Sequence, residues 1–286
     1  LARKQSKAVS DFQNNGITFP LQALSASDAS SLVPAFYALA QRMEGWTDGA
    51  QILKSHLVST WVCALVHNSK ILNAVEDLIG PDILCWAATF FAKEPETDGY
   101  VGWHQDIHYW GLEPAEQVVT VWLGLTDAHR DNGGMFYIPG SHQEGDKVHQ
   151  QYPDSDNMLL GSQQVDISKD DLARSIAVDL QPGQFSVHHA RLLHGSYGNL
   201  SQRPRIGLSI NYVSTAVKQR SNGGRDSAML VRGKDQFNNF NLEPRPEADF
   251  APTGIAAYKA ALLTPSGIGG ADDSIYNKQL NLSRIR

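Results

Sequence analysis

The chain has 286 residues, 42% of them hydrophobic and 19% charged, with a formal net charge of −6. That balance supports a sizeable core in one large domain or two small ones. It excludes partners that need concentrated features: no clustered Lys/Arg run offers counter-charge to a nucleic-acid backbone, and no apolar run is long enough to cross a bilayer. The N-terminal Leu1-Ala2-Arg3-Lys4-Gln5 is charged and lacks the apolar centre of a secretory signal. A cytoplasmic location is expected, although a start without Met leaves room for an upstream targeting segment. Cys63 and Cys85 sit in apolar surroundings and are expected as buried thiols of a reducing compartment.

In chain order, residues 1–80 are expected to be helical. Asp28 or Ser27 can cap a helix that aligns Leu32, Phe36, Leu39 and Met43, with Pro34 tolerated only in its first turn. A second helix carries Ile71, Val75 and Leu78 and stops at Gly80-Pro81. From residue 82 the texture becomes that of strands. The run 83–92 is continuously apolar and aromatic. In 118–125, Val119, Val121, Leu123 and Leu125 share one face, and Thr120, Trp122 and Gly124 the other. Further strands are expected at 135–138, 175–180, 184–188 and 206–213, the last with Gly207, Ser209 and Asn211 on one face. Short strands divided by Pro and Gly turns predict a mainly β fold, a jelly roll or double-stranded β-helix of the cupin-like kind, with helices against its outer face. The expected organisation is a single domain over 1–286: a helical N-terminal region over 1–80, a β-core over about 81–215, and a lid and C-terminal segment 216–286. The long polar segments 143–174 and 214–260 are expected as lids over the barrel mouth.

The chemistry is concentrated in His104-Gln105-Asp106 and the distant His194. Two imidazoles and a carboxylate are the ligand set of the facial triad, which leaves one side of an iron(II) ion open. The HxD spacing suits an extended segment, where residues two apart point the same way. Arg205, on the following strand, could hold a carboxylate of an organic acid cosubstrate through its guanidinium fork. Thr120 shares a face with Trp122, so its hydroxyl could point into the same cavity. His108, Tyr109 and Trp110 follow the motif directly and are candidates for the substrate wall, as is Asn211 on the face of Arg205 and Ser209. Neighbouring strand residues point oppositely, so at most one of His188 and His189 could face the site, and structural roles are expected for both. Arg130 and Arg191 are expected as surface arginines.

Several stretches together resemble the phytanoyl-CoA dioxygenase family of iron(II)- and 2-oxoglutarate-dependent oxygenases. They are Trp103-His104-Gln105-Asp106 with Tyr109-Trp110, Val119-Thr120-Val121-Trp122-Leu123, Asp131-Asn132-Gly133-Gly134, Ile138-Pro139-Gly140-Ser141-His142, Pro182-Gly183, and His194-Gly195-Ser196 with Asn199 and Arg205. The likeness implies His104, Asp106 and His194 as iron ligands and Arg205 as partner of the distal carboxylate of 2-oxoglutarate. It places Trp122 and Ser196 in the cosubstrate pocket and Gln105 inside the ligand motif. It also implies an O₂-dependent reaction, supported by ascorbate, that releases succinate and CO₂. The substrate would be a small molecule, an amino acid or natural-product intermediate. Hydroxylation is the default outcome, with desaturation, cyclisation or epimerisation as alternatives. Related halogenases lack the carboxylate, whereas this chain retains Asp106. Two other readings stand beside this one. An acyl-CoA or carrier-protein-bound substrate would need a basic entrance, against which the acidic balance argues. A non-catalytic metal-binding jelly-roll sensor is disfavoured by the complete set His104, Asp106, His194 and Arg205.

Overall fold

In the computed structural model, residues 6–43, 51–152, 154–159, 162–220 and 225–263 are described. The strands that build the site are β1 (Ile17–Gln22), β2 (Ile83–Lys93), β3 (Val101–His104), β4 (Val118–Gly124), β5 (Met135–Tyr137), β6 (Ile176–Ala177), β7 (Gln184–His189), β8 (His194–Ser196), β9 (Arg205–Ser214) and β10 (Ser227–Arg232). The large sheet runs β1-β7-β4-β9-β2-β10, with Asn241–Leu242 beyond β10 and Gln51–Ile52 against β2. The small sheet runs β6-β5-β8-β3. Strands distant in sequence thus become neighbours, as expected of the jelly roll. The two sheets pack on one another: Trp122 of the large sheet shares a buried cluster with Met135 and Tyr137 of the small one.

Alternation along β4 and β9 divides the work of the large sheet. Val119, Val121, Leu123, Ile206, Leu208 and Ile210 point outward and form one core with Phe36, Leu39, Val62, Ile71 and Val75 of the helices. Thr120, Trp122, Ser209 and Asn211 take the other face and are buried as well. Under the Trp122 ring the chain needs a glycine, because a Cβ on Gly207, two residues from the position paired with Trp122, would lie 2.0 Å from the indole.

Three regions differ from the sequence expectation. The helix expected from Asp28 is two helices, Ala26–Ser31 and Val33–Arg42. The cap of the first is Ser25, whose hydroxyl accepts the Asp28 N–H, and Pro34 falls in the first turn of the second, where no N–H is needed. Residues 1–80 also contain a strand: β1 pairs antiparallel with β7, setting Ile17 against His188. The segment 214–260 is not all lid. Within it β10 pairs with β2, where Ala228, Met229 and Val231 bury apolar side chains. The helix Pro252–Leu263 adds Tyr258, Ala261 and Leu262 to the outer-face core. Segment 143–174 holds the short pair Gln150–Gln151 with Gln163–Gln164, and runs along β3, with the Val165 N–H on the Trp103 carbonyl. Both cysteines are buried and free.

Candidate active site

β3 ends and β8 begins on a histidine, and the two strands pair with His194 opposite His104. The imidazole centroids are therefore only 4.1 Å apart. Asp106 is not on the strand but is the first residue of the short helix Asp106–Trp110. Gln105 between them stays extended (φ −113°, ψ 125°), so the His104 and Asp106 side chains still share one side. Asp106 Oδ1 lies 3.4 Å from His104 Nε2 and 3.6 Å from His194 Nε2. The three ligand atoms fall within 4.8 Å of one another, and all three residues are buried.

The surroundings fix which atoms are free. His104 Nδ1–H donates to the Gly102 carbonyl and His194 Nδ1–H to the Leu192 carbonyl, both at 2.8 Å. Each ring therefore presents its Nε2 lone pair to the centre. Asp106 Oδ2 accepts the Thr120 hydroxyl at 2.7 Å and lies 3.3 Å from His188 Nε2. Asn211 Nδ2 donates to Thr120 Oγ at 3.1 Å, which leaves the Thr120 hydrogen directed at the carboxylate. Burial alone would raise the Asp106 pKa, but His194, His104 and His188 hold it well below the usual carboxylate range. Burial, then His104, keeps His194 well below the usual imidazole value. A carboxylate beside a neutral imidazole is the form in which such groups bind a divalent cation.

Arg205 opens β9 and is 1% exposed. Nη1 donates to the Phe91 carbonyl at 3.0 Å, whereas Nε and Nη2 are buried without a partner. The guanidinium carbon stands 5.5 Å from the Trp122 ring centre. Burial pulls this group down to about 9, as befits a cation lacking its counter-ion. Two orphaned donors on a buried cation fit a carboxylate, and the free Nε2 atoms around Asp106 Oδ1 fit a metal. On both counts the residues suit iron and 2-oxoglutarate.

The other candidate residues fall in several places. Trp122 lies beside Arg205, and Ser196 Oγ accepts from Lys93 Nζ at 2.8 Å. Thr120 and Asn211 stand behind Asp106 rather than in an open cavity. Gln105 points away from the triad, as alternation requires: its amide donates to the Gly145 and Arg191 carbonyls and accepts the Lys147 N–H. Tyr109 sets its ring edge-on to His104, with the centroids 5.8 Å apart, and donates its hydroxyl to the Gln163 carbonyl. His108 stacks on His149 at 3.8 Å, and Trp110 packs on Trp86 at 5.3 Å. Arg191 is ion-paired with Glu116 and Asp146, and Arg130 lies over Phe136. Of the histidine pair, His188 faces Asp106 while His189 turns toward Phe12. Lys93, His149 and Trp86 are absent from the sequence-derived site, and His188, expected in a structural role, lies 3.3 Å from Asp106 instead. The strand register explains the position of His188, which pairs opposite Thr120.

By fold and site the molecule is similar to non-haem oxygenases. The family model of phytanoyl-CoA dioxygenase (PhyH) matches residues 26–207, well over half of the chain, and the chain belongs to that family. Peroxisomal phytanoyl-CoA dioxygenase of Bos taurus is 27% identical over 188 residues, 61% of this chain and 54% of the relative. The chain spans about half the length of the curated relatives it matches. Among solved structures, the apo form of the non-heme monooxygenase ThoJ superposes with a TM-score of 0.80 at 29% identity, covering 96% of this chain and 98% of that one. The epimerase SnoN, solved with Fe3+, alpha ketoglutarate and nogalamycin RO, gives 0.63 at 19% identity over 85% and 95% of the two chains, a likeness of fold.

Proposed function

We propose that the protein is an iron(II)- and 2-oxoglutarate-dependent dioxygenase that hydroxylates a C–H bond of a small molecule, an amino acid or natural-product intermediate, with release of succinate and CO₂. The observation that carries this reading is the coexistence of free Nε2 atoms around Asp106 with the partnerless buried donors of Arg205. His104, Asp106 and His194 would hold the metal, and Arg205 with Ser196 the distal carboxylate of 2-oxoglutarate. Bound together, iron and 2-oxoglutarate supply O₂ activation coupled to oxidative decarboxylation, which no side chain provides. The chain's own residues do the placing. Thr120 and His188 occupy Asp106 Oδ2, so Oδ1, facing both imidazoles, is the ligand atom. Trp122 shields Arg205 from water, which strengthens its pairing with a carboxylate. Tyr109, edge-on to His104, and Trp110 would offer aromatic surface on which an organic substrate can pack.

The test is succinate release from 2-oxoglutarate during a screen of amino acids and natural-product scaffolds, with mass analysis of the products. EDTA should silence the activity, and iron(II) with ascorbate should restore it. A gain of one oxygen identifies hydroxylation; a loss of two hydrogens identifies desaturation or cyclisation. Arg205→Ala should raise the KM for 2-oxoglutarate at least about tenfold; an unchanged KM would assign the carboxylate to another residue.

A further inference from the structure

We propose that Lys93 is a positioning residue for the cosubstrate: with Arg205 it forms a two-cation seat for the distal carboxylate of 2-oxoglutarate, and it holds the Ser196 hydroxyl ready to donate there. This rests on 2-oxoglutarate being the cosubstrate, as proposed above. β2 and β9 pair Lys93 directly with Arg205, so the two side chains leave the sheet side by side on one face. Lys93 is 1% exposed, and its Nζ donates to Ser196 Oγ at 2.8 Å and to the Tyr197 carbonyl. Among the described residues no carboxylate acts on either cation; what acts on Lys93 is burial and then the charge of Arg205, and both push its ammonium well below the ordinary value. An incoming carboxylate would supply the counter-charge that two adjacent buried basic groups lack here.

Ser196 completes the seat. Its oxygen accepts from Lys93, so its own hydrogen remains available to an incoming acceptor. The backbone makes room for the lysine. Gly133, in the Asp131-Asn132-Gly133-Gly134 motif, sits at φ +79°, and a Cβ there would lie 2.7 Å from Lys93 Cδ and 2.9 Å from the Tyr197 carbonyl oxygen. The glycine therefore clears the channel through which the lysine stem reaches Ser196.

The seat predicts selectivity for the second carboxylate, which a lysine that merely capped the Tyr197 carbonyl would not produce. Metal-loaded protein should be titrated anaerobically with 2-oxoglutarate and with 2-oxopentanoate, which has the same chain but no distal carboxylate. Binding is read by calorimetry and by the charge-transfer absorbance of the chelated 2-oxo acid, without turnover. Lys93→Met, and Lys93→Gln, which keeps a donor but not the charge, should each weaken 2-oxoglutarate about 10- to 100-fold. Both should leave 2-oxopentanoate within about twofold of wild type. Equal losses for the two acids, or none for 2-oxoglutarate, would overturn the proposal. If the wild type itself binds no 2-oxoglutarate, the cosubstrate reading fails first and the seat with it.

Discussion

Two clusters of buried charge in this molecule invite comparison. In one, Lys54 Nζ and His56 Nε2 grip the two oxygens of Glu243 at 2.7 and 3.0 Å, and Ser227 adds its hydroxyl to the same carboxylate. In the other, Arg205 and Lys93 stand together with no anion among the described residues, near a carboxylate and two imidazoles whose free atoms converge. The first balances its charges within the chain and fastens residues 54–56 to the segment around 243. The second leaves donors of Arg205 without a partner among the described residues. Burial alone does not mark a functional site; the missing partner does.

The comparison can be broken at three points. The largest effect is expected from Asp106→Ala, which should abolish metal retention and reduce succinate formation to background, read by metal analysis and product assay; wild-type turnover would discard the ligand assignment. Next comes Glu243→Gln, which strands Lys54 inside the protein and should cost about 3–5 kcal/mol in a urea melt while leaving 2-oxoglutarate affinity unchanged. This contribution depends on pH. Burial would raise the Glu243 carboxyl, but Lys54 and His56 hold it down to about 2, below its ordinary 4.5. The stabilisation is thus complete above the unfolded value and is lost as pH falls from there toward the folded one. The gap between wild type and variant should accordingly narrow with acidification, and a gap constant from neutrality to pH ~2 would contradict the pairing. The smallest effect is expected from Thr120→Val, which removes the hydroxyl behind Asp106 and should weaken metal binding about 10- to 100-fold in a chelator competition, with the fold intact. An unchanged affinity would leave His188 as sufficient support.

Much of the fold could be read in the sequence because β4 and β9 alternate cleanly, and alternation reports which face is buried against helices. Strand β10 was hidden because its apolar run is short and flanked by polar loops, and only the free edge of β2 gives it a partner. β1 was hidden among helical segments for the same reason, being completed by β7. At the site, the triad residues and Arg205 stood out by residue type and spacing. Lys93 did not: a lysine ending an apolar strand reads as a solvated terminus, and only the pairing with β9 turns it inward. Gln105 lay within the motif, yet strand alternation sends its side chain to the opposite side from its neighbours.

That outward amide has a consequence of its own. Gln105 clasps the backbone at Gly145, Lys147 and Arg191, while its own N–H is taken by His149. The segment that carries His104 and Asp106 and the neighbouring surface loop are thereby pinned together from behind, by bonds that none of the three candidate ligands has to supply. A change at Gln105 should therefore loosen the frame of the site without removing any group from it.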